Sequence, residues 1–519
     1  MASKPPPWLD TIPAKPSEGP SKTPNGLPSL QSVLNKSIDA ADSDISLHVI
    51  SPGGDLILEY KDDASSGEPV CWKVASAALS NKSPYFSALL DPQKFSEGRN
   101  FAQQKHDIVN GNDSESVNDQ DPTNKFTLPR IRIPSLLVIK MCGIEALGVL
   151  LRALCLDTMT EAAAEVFKNS LKTETPSVVA KFIQIADAFN SPAVAFDLLK
   201  NEYSFGKKVN TRVFPRFDSA LLKMKEDRIR QIIMISMFVK EYVISRTMMH
   251  TLLLIGSKFW INGIDIPNGE YLRWRYLPNG VEEELYDRRQ YIMHTITDLQ
   301  AHFLRVYGAL EDTGEPKPAP ATVRPSLGLA FSTSTPAPNR DFQCRAGLDN
   351  ASQCDLFQLG QMTRFFAMRA KTMFLGSNIL DPDFGLDSED ESDRGDEHER
   401  GLSTPPSDII SIMTSLKQFP DYQIDQNHGS CGVRRRLLPI IPCIEKYLLD
   451  PLAFLGIELD RWSIQPNDQR WKNRGKRHKV DIRFDRIVKV EFPETRHQAV
   501  STSDNAALLF TAKKRNWEA

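Results

Sequence analysis

The chain has 519 residues, a formal net charge of -3 and 25% charged residues. It is too long for one compact core, since single domains usually hold roughly 100 to 200 residues. Its near-neutral balance excludes a surface built as a whole for nucleic acid or an anionic membrane, so any such role must be local. Seven cysteines, at positions 71, 142, 155, 344, 354, 431 and 443, are an odd number scattered through a long chain. That is unlike a secreted disulfide framework and points to a reducing, intracellular setting in the nucleus, the cytoplasm or both.

Residues 1–41 open with MASKPPPWLD and are rich in proline, serine and lysine. They lack the basic start and apolar run of a secretion signal, and they carry too little apolar surface to offset the entropy of ordering, so a disordered leader is expected. From residue 42 the pattern changes. Ile45-Leu47-Val49 and Leu56-Leu58-Tyr60 alternate as two strands joined by the Pro52-Gly53-Gly54 turn, and Val70-Trp72-Val74 supplies a third.

Helices follow. Ser76 is expected to cap a short one, and Ser83-Pro84 opens the next, with a capping hydroxyl followed by a proline whose missing N–H costs nothing at the first helical position. The same pairing at Thr175-Pro176 and Ser191-Pro192 predicts two further helix starts, and Ile144, Leu147, Leu151 and Leu154 fall at helical spacing ahead of them. Residues 99–125 lose the apolar period and read as a mobile insert. FTLPRIRIP then predicts a short strand, with Pro129 placing it at a sheet edge.

Residues 206–311 are predicted helical, with a long helix after the Pro278-Asn279-Gly280 turn. The apolar windows at 232–239 and 248–256 fall far short of the roughly 20 residues a membrane span needs, so no membrane association is expected. Residues 312–340 form a Pro-rich linker. A second helical region spans 341–456 and is split by an acidic, disordered insert at 383–407. Residues 457–519 are read as a basic tail with short strands, LLFTAKKRNW among them.

In this order, DISLHVISPGGDLILEY, WKVASAALSNKSPYFSALL, FSEG, ALGVLLRALC, VVAKFIQIADAFN and AVAFDLLK resemble the BTB/POZ domain, in the form found in fungal BTB proteins. The resemblance covers residues 42–205. EELYDRRQYIMHTITDL, RAGLDNASQCDLFQLGQM and HGSCGVRRRLLPIIPCIEKYL look similar to the helical C-terminal regions of the same proteins. The fold this implies is α+β, a small N-terminal sheet with helices followed by a mostly helical region.

The function the resemblance implies is protein association, as a homodimer or a heterodimer, with cullin scaffolds of ubiquitin ligases as partners of some relatives. In cullin-binding relatives a hydrophobic-x-acidic triplet follows the helix that begins with Ser-Pro, and Phe95-Ser96-Glu97 fits it. The simpler reading of the triplet and Gly98 is a helix end that folds the loop back. Tyr85, Leu89, Phe95 and Glu97 are the candidate partner-binding residues. An alternative function is a nuclear regulator that dimerises through this unit and contacts DNA or a chromatin partner through Lys472, Arg474, Lys476, Arg477 and Lys479, beside Trp471.

Cys344, Cys354, His428 and Cys431 invite a metal reading, because His-x-x-Cys can supply two zinc ligands from one turn. Nine residues separate Cys344 from Cys354, however, well beyond the tight spacing of a zinc knuckle, and Cys443 competes as a partner. The reading adopted is buried, reduced cysteines packing as small hydrophobes, with no metal and no cofactor assigned. No GxSxG, Walker A, GxGxxG or HExxH occurs, so binding rather than enzymatic catalysis is expected.

Overall fold

A computed structural model describes residues 47–61, 69–110, 128–205, 216–261, 263–267, 271–309, 343–344, 346, 350–373, 408–429, 431–473, 482–483, 502–512 and 515–517. The leader at 1–41, the 312–340 linker and the acidic insert at 383–407 lie outside them. The architecture is α+β: a small four-stranded sheet near the N-terminus and a large helical remainder.

The sheet contains β1 (Leu47–Val49), β2 (Leu56–Tyr60), β3 (Val70–Val74) and β4 (Arg130–Arg132), in the spatial order β1-β3-β2-β4. The Pro-Gly-Gly turn therefore does not close a hairpin. It carries the chain across the end of β3, which lies antiparallel to β2 and parallel to β1. Both Ile50 and Ser51 donate their N–H groups to the Lys73 carbonyl at this crossing. Only glycine fits at position 54, since a Cβ there would sit 2.5 Å from the Val74 carbonyl oxygen. The edge position expected for β4 from Pro129 is observed, and the Gln104 side-chain amide pairs with the outward N–H and C=O of Arg130. That amide blunts an edge that would otherwise invite further pairing.

Helix α1 (Ser76–Lys82) is not capped by Ser76, which is already its first residue. Asp55, immediately before β2, accepts from both the backbone N–H and the hydroxyl of Ser76 at 2.8 Å. A distant carboxylate thus does what a local hydroxyl was expected to do, and it favours the positive end of the helix. Helix α2 (Pro84–Leu89) starts as predicted: Ser83 Oγ accepts from Phe86 N and donates to the Phe189 carbonyl at 2.8 Å. The insert expected at 99–125 begins as helix instead. Helix α3 runs over Ser96–Val109, while residues 111–127 lie outside the described residues.

Helices α4 (Leu137–Cys142), α5 (Ile144–Leu154), α6 (Glu161–Lys172), α7 (Pro176–Ala188) and α8 (Pro192–Glu202) complete the first unit. Thr175 caps α7 as expected. Ser191 does not cap α8; its hydroxyl turns back to the Phe189 carbonyl, already an acceptor for Ser83.

Helices α9 (Glu226–Phe238), α10 (Tyr242–Ile255) and α11 (Val281–Val306) follow, then α12 (Ala351–Arg364), α13 (Ile409–Lys417), α14 (Ile441–Leu448) and α15 (Thr502–Thr511). The regions that sequence separates at the Pro-rich linker share one core. Helix α9 packs on α7, α10 on α13, and α11 on α15. The LLFT segment expected as a strand is the C-terminal half of α15, with Ala506, Ala507, Leu509 and Phe510 on its buried face. Beyond it, among the described residues, Arg515–Asn516 forms a strand, pairing in parallel with Ile482–Arg483. Among the described residues, no helix is long and apolar enough to cross a membrane.

Candidate interaction corner and a cysteine-histidine cluster

The four candidate partner-binding residues divide into two kinds. Leu89 is buried and part of the core, which removes it from any docking face. Tyr85 is half-buried, its ring 4.6 Å from Phe189 and 5.5 Å from Phe86, so it chiefly walls the core. Burial raises its phenol pKa, and the nearby Glu97 carboxylate adds to the rise.

Phe95 is different. It occupies the N-cap position of α3 and is 48% exposed, in a unit whose other large aromatics are mostly inside. The triplet opens a helix rather than ending one, and Glu97 lies in its first turn, where a negative charge is favoured. The corner is fixed from beneath. Lys94 N and Phe95 N both donate to the Asp91 carbonyl, and the α3 backbone approaches so closely that a Cβ at Gly98 would lie 2.3 Å from the same oxygen.

A second exposed feature was not read from sequence. Strand β1 is the other edge of the sheet, with no strand beyond it among the described residues, and its Val49 is 51% exposed. The signal was the shortness of the alternating run; what hid it was the assumption that β1 and β2 pair.

The basic patch is only partly described. Lys472 is exposed, whereas Arg474, Lys476, Arg477 and Lys479 lie outside the described residues. Trp471, expected beside them, is fully buried. Its ring stacks on Phe510 at 5.7 Å and nearly parallel, the Arg288 guanidinium covers it at 4.8 Å, and its backbone N–H donates to Glu284. It therefore supplies no stacking surface for a base.

Sequence reasoning set aside the cysteine-histidine quartet, but the fold brings it together. The ligand atoms of Cys344, Cys354, His428 and Cys431 all lie within 4.8 Å of one another. Cys344 stands on the segment that leads into α12, Cys354 lies in the first turn of α12, and His428 ends a short 3-10 turn whose backbone carbonyl accepts from Cys431 N. His428 Nδ1 is 3.3 Å from Cys344 Sγ and 3.8 Å from Cys431 Sγ, and the latter two sulfurs are 3.6 Å apart. His428 Nε2 lies 3.0 Å from Asn350 Oδ1, which must accept, so the proton sits on Nε2 and the Nδ1 lone pair faces the thiols. Burial, reinforced by the neighbouring Cys344 and Cys431, pushes the Cys354 thiol up to about 12. Cys443 stays outside, its thiol against the Pro439 carbonyl, and all seven cysteines are free.

No protein-family model matches the chain, and comparison with curated proteins and with solved structures yields no match.

Proposed function

We propose that the chain works by protein association through its N-terminal α+β unit, as a non-catalytic adaptor that pairs with itself or with another protein, a cullin scaffold among the candidates. The observation that carries the reading is Phe95, a half-exposed aromatic on a corner pinned by the Asp91–Gly98 backbone contact, with Glu97 beside it. An aromatic held rigidly at the surface loses little entropy on burial in a partner's pocket, which is the physical profile of a binding hot spot, and an adjacent rim charge tunes encounter and orientation. The edge of β1 with Val49, unpaired among the described residues, adds a place where a second strand could pair.

The test is affinity capture from extract with the full chain, wild type beside Phe95→Ala and Glu97→Ala. Loss of about 2 kcal/mol at a hot spot weakens binding roughly thirtyfold, so the Phe95 variant should lose a partner that wild type retains, and the Glu97 variant should weaken it less. Equal capture by all three, together with a strictly monomeric full chain in light scattering at high concentration, would refute the reading.

A further inference from the structure

We propose that Cys344, Cys354, His428 and Cys431 bind one zinc ion in a closed tetrahedral shell that locks the second helical region onto the end of α11.

The distances carry the inference. Four ligands around one zinc, with bonds of about 2.3 Å to sulfur and about 2.0 Å to nitrogen, place sulfurs about 3.8 Å apart and nitrogen about 3.5 Å from sulfur. The two observed nitrogen–sulfur separations, 3.3 and 3.8 Å, bracket the second value, and the sulfur–sulfur separation of 3.6 Å lies within about 0.2 Å of the first. Three thiols and an imidazole form a soft donor set that selects zinc over calcium or magnesium. The shell is too tight for an iron-sulfur cluster, whose protein ligands are spread over more than one metal. Two sulfurs 3.6 Å apart are also far from the roughly 2.05 Å of a disulfide.

The surroundings are those of a built site. Asn350 fixes the ring of His428, which is fully buried, in the tautomer that aims Nδ1 at the sulfurs, the role that outer hydrogen-bond partners play at zinc-bound histidines. The Ala346 N–H is directed at the Cys344 sulfur. The Tyr307 hydroxyl, just beyond α11, donates to the Cys431 carbonyl at 3.3 Å. Buried Asp355, next to Cys354, accepts from Gln343 N, and Arg436 holds the Gln343 side chain from the other side. All four positions would be filled by protein, leaving none for substrate, so the ion is structural. On binding, each ligating thiol gives up its proton to solvent and no electron is transferred.

The test is metal analysis of the purified full chain. About one zinc per chain is expected, and cobalt replacement should give the visible spectrum of a tetrahedral thiolate site. Cys354→Ser and His428→Ala should lose the metal, Cys443→Ser should keep it, and Asn350→Ala should lower zinc affinity about 10- to 100-fold. Chelation should raise amide exchange around residues 350–373 and 426–437 while leaving 47–110 unchanged. Because stoichiometry and the cobalt spectrum are read on wild type, a variant that fails to fold does not obscure the result. Folded wild-type protein that carries no zinc, takes up no cobalt, or forms a Cys344–Cys431 disulfide without loss of structure would overturn the proposal.

Discussion

The two halves of the molecule hold themselves together with different chemistry. In the N-terminal unit the buried polar side chains among the described residues are Ser51, Ser83, Ser170, Gln184 and Ser191, none of them charged. Its interior is an apolar cluster around Trp72, Phe86, Phe182 and Phe189, trimmed by hydroxyls that satisfy turn carbonyls. The helical remainder buries Arg230, Glu282, Glu284, Arg288, Arg289, Asp355, His250 and His428. Arg230 is gripped by Glu282 through two bonds of 2.7 and 3.0 Å and by Glu226, while Glu282 also accepts from Trp260 Nε1 and Leu277 N. Arg288 spans Glu284 and the carbonyls of Leu455 and Gly456, tying α11 to residues more than 160 positions away.

The difference teaches where specificity comes from in each half. A sheet fixes its own register through backbone pairing, so its core needs only volume and shape. Helices joined by long connections have no such ladder. Fully satisfied buried charges can then select one arrangement among many, because a wrong docking leaves an ion unpaired in low dielectric.

The largest effects should separate the halves by kind of damage. Phe86→Ala opens a cavity in the N-terminal core and should cost about 3 to 5 kcal/mol. Glu282→Ala should cost a similar amount, about 3 to 5 kcal/mol, by leaving Arg230 with Glu226 as its one carboxylate and Trp260 Nε1 and Leu277 N without their acceptor. Replacing both partners with apolar residues, Arg230→Met with Glu282→Leu, should recover the part of the second loss that comes from the unpaired guanidinium, though not the part from Trp260 Nε1 and Leu277 N, whereas no second substitution rescues the first without refilling the volume. Urea midpoints of the four proteins check this; failure of the double variant to improve on Glu282→Ala would mean the network does more than neutralise itself.

Next in size is an acid sensitivity centred on His250 in the helical half. His250 is fully buried against Phe217, donates from Nε2 to the Leu448 carbonyl, and is held down to a pKa of about 4, first by burial and then by the Arg246 charge. The unfolded chain takes up this proton near pH 6.5 and the folded chain does not. Stability from this group is therefore intact above about 6.5 and drains as pH falls to about 4, by about 3 kcal/mol in all. Unfolding titrations should show that slope in wild type and a shallower one in His250→Gln.

The smallest test lies at Phe189, whose carbonyl serves two serines. Ser83→Ala removes a cap as well as this bond and should cost about 1 to 2 kcal/mol. Ser191→Ala removes the bond alone and should cost about 0.5 to 1.5 kcal/mol. The double variant should cost more than the sum, because only then is the buried carbonyl left without either hydroxyl.

How much of this was legible from residues follows the same division. Local signals succeeded: Ser83-Pro84 and Thr175-Pro176 marked true helix starts, and Pro129 marked an edge strand. Signals whose partner lies far away failed. Nothing near Ser76 discloses that Asp55 caps its helix, and nothing in the Pro-Gly-Gly turn discloses that β3 will separate β1 from β2. Trp471 beside a run of lysines and arginines suggested a nucleic-acid surface, yet its partner Phe510 is nearly forty residues on and draws it inside. The cysteine-histidine quartet failed for the same reason. Its one local pair, His428 and Cys431, was visible, while the spacing of Cys344 and Cys354 argued against them, and only the return of α12 to the 3-10 turn joins the two pairs.

The backbone contact beneath FSEG also bears on how the proposed binding corner can evolve. Gly98 is required by the Asp91 carbonyl whatever the protein binds, so in any lineage of related chains that position should refuse every other residue. Positions 95 and 97 carry no such steric duty. Under the proposed reading they are free to drift wherever a partner is lost and to change together wherever it is exchanged, so a pairwise history written at 95 and 97 above an unchanging 98 would be the trace that such a succession of partners leaves.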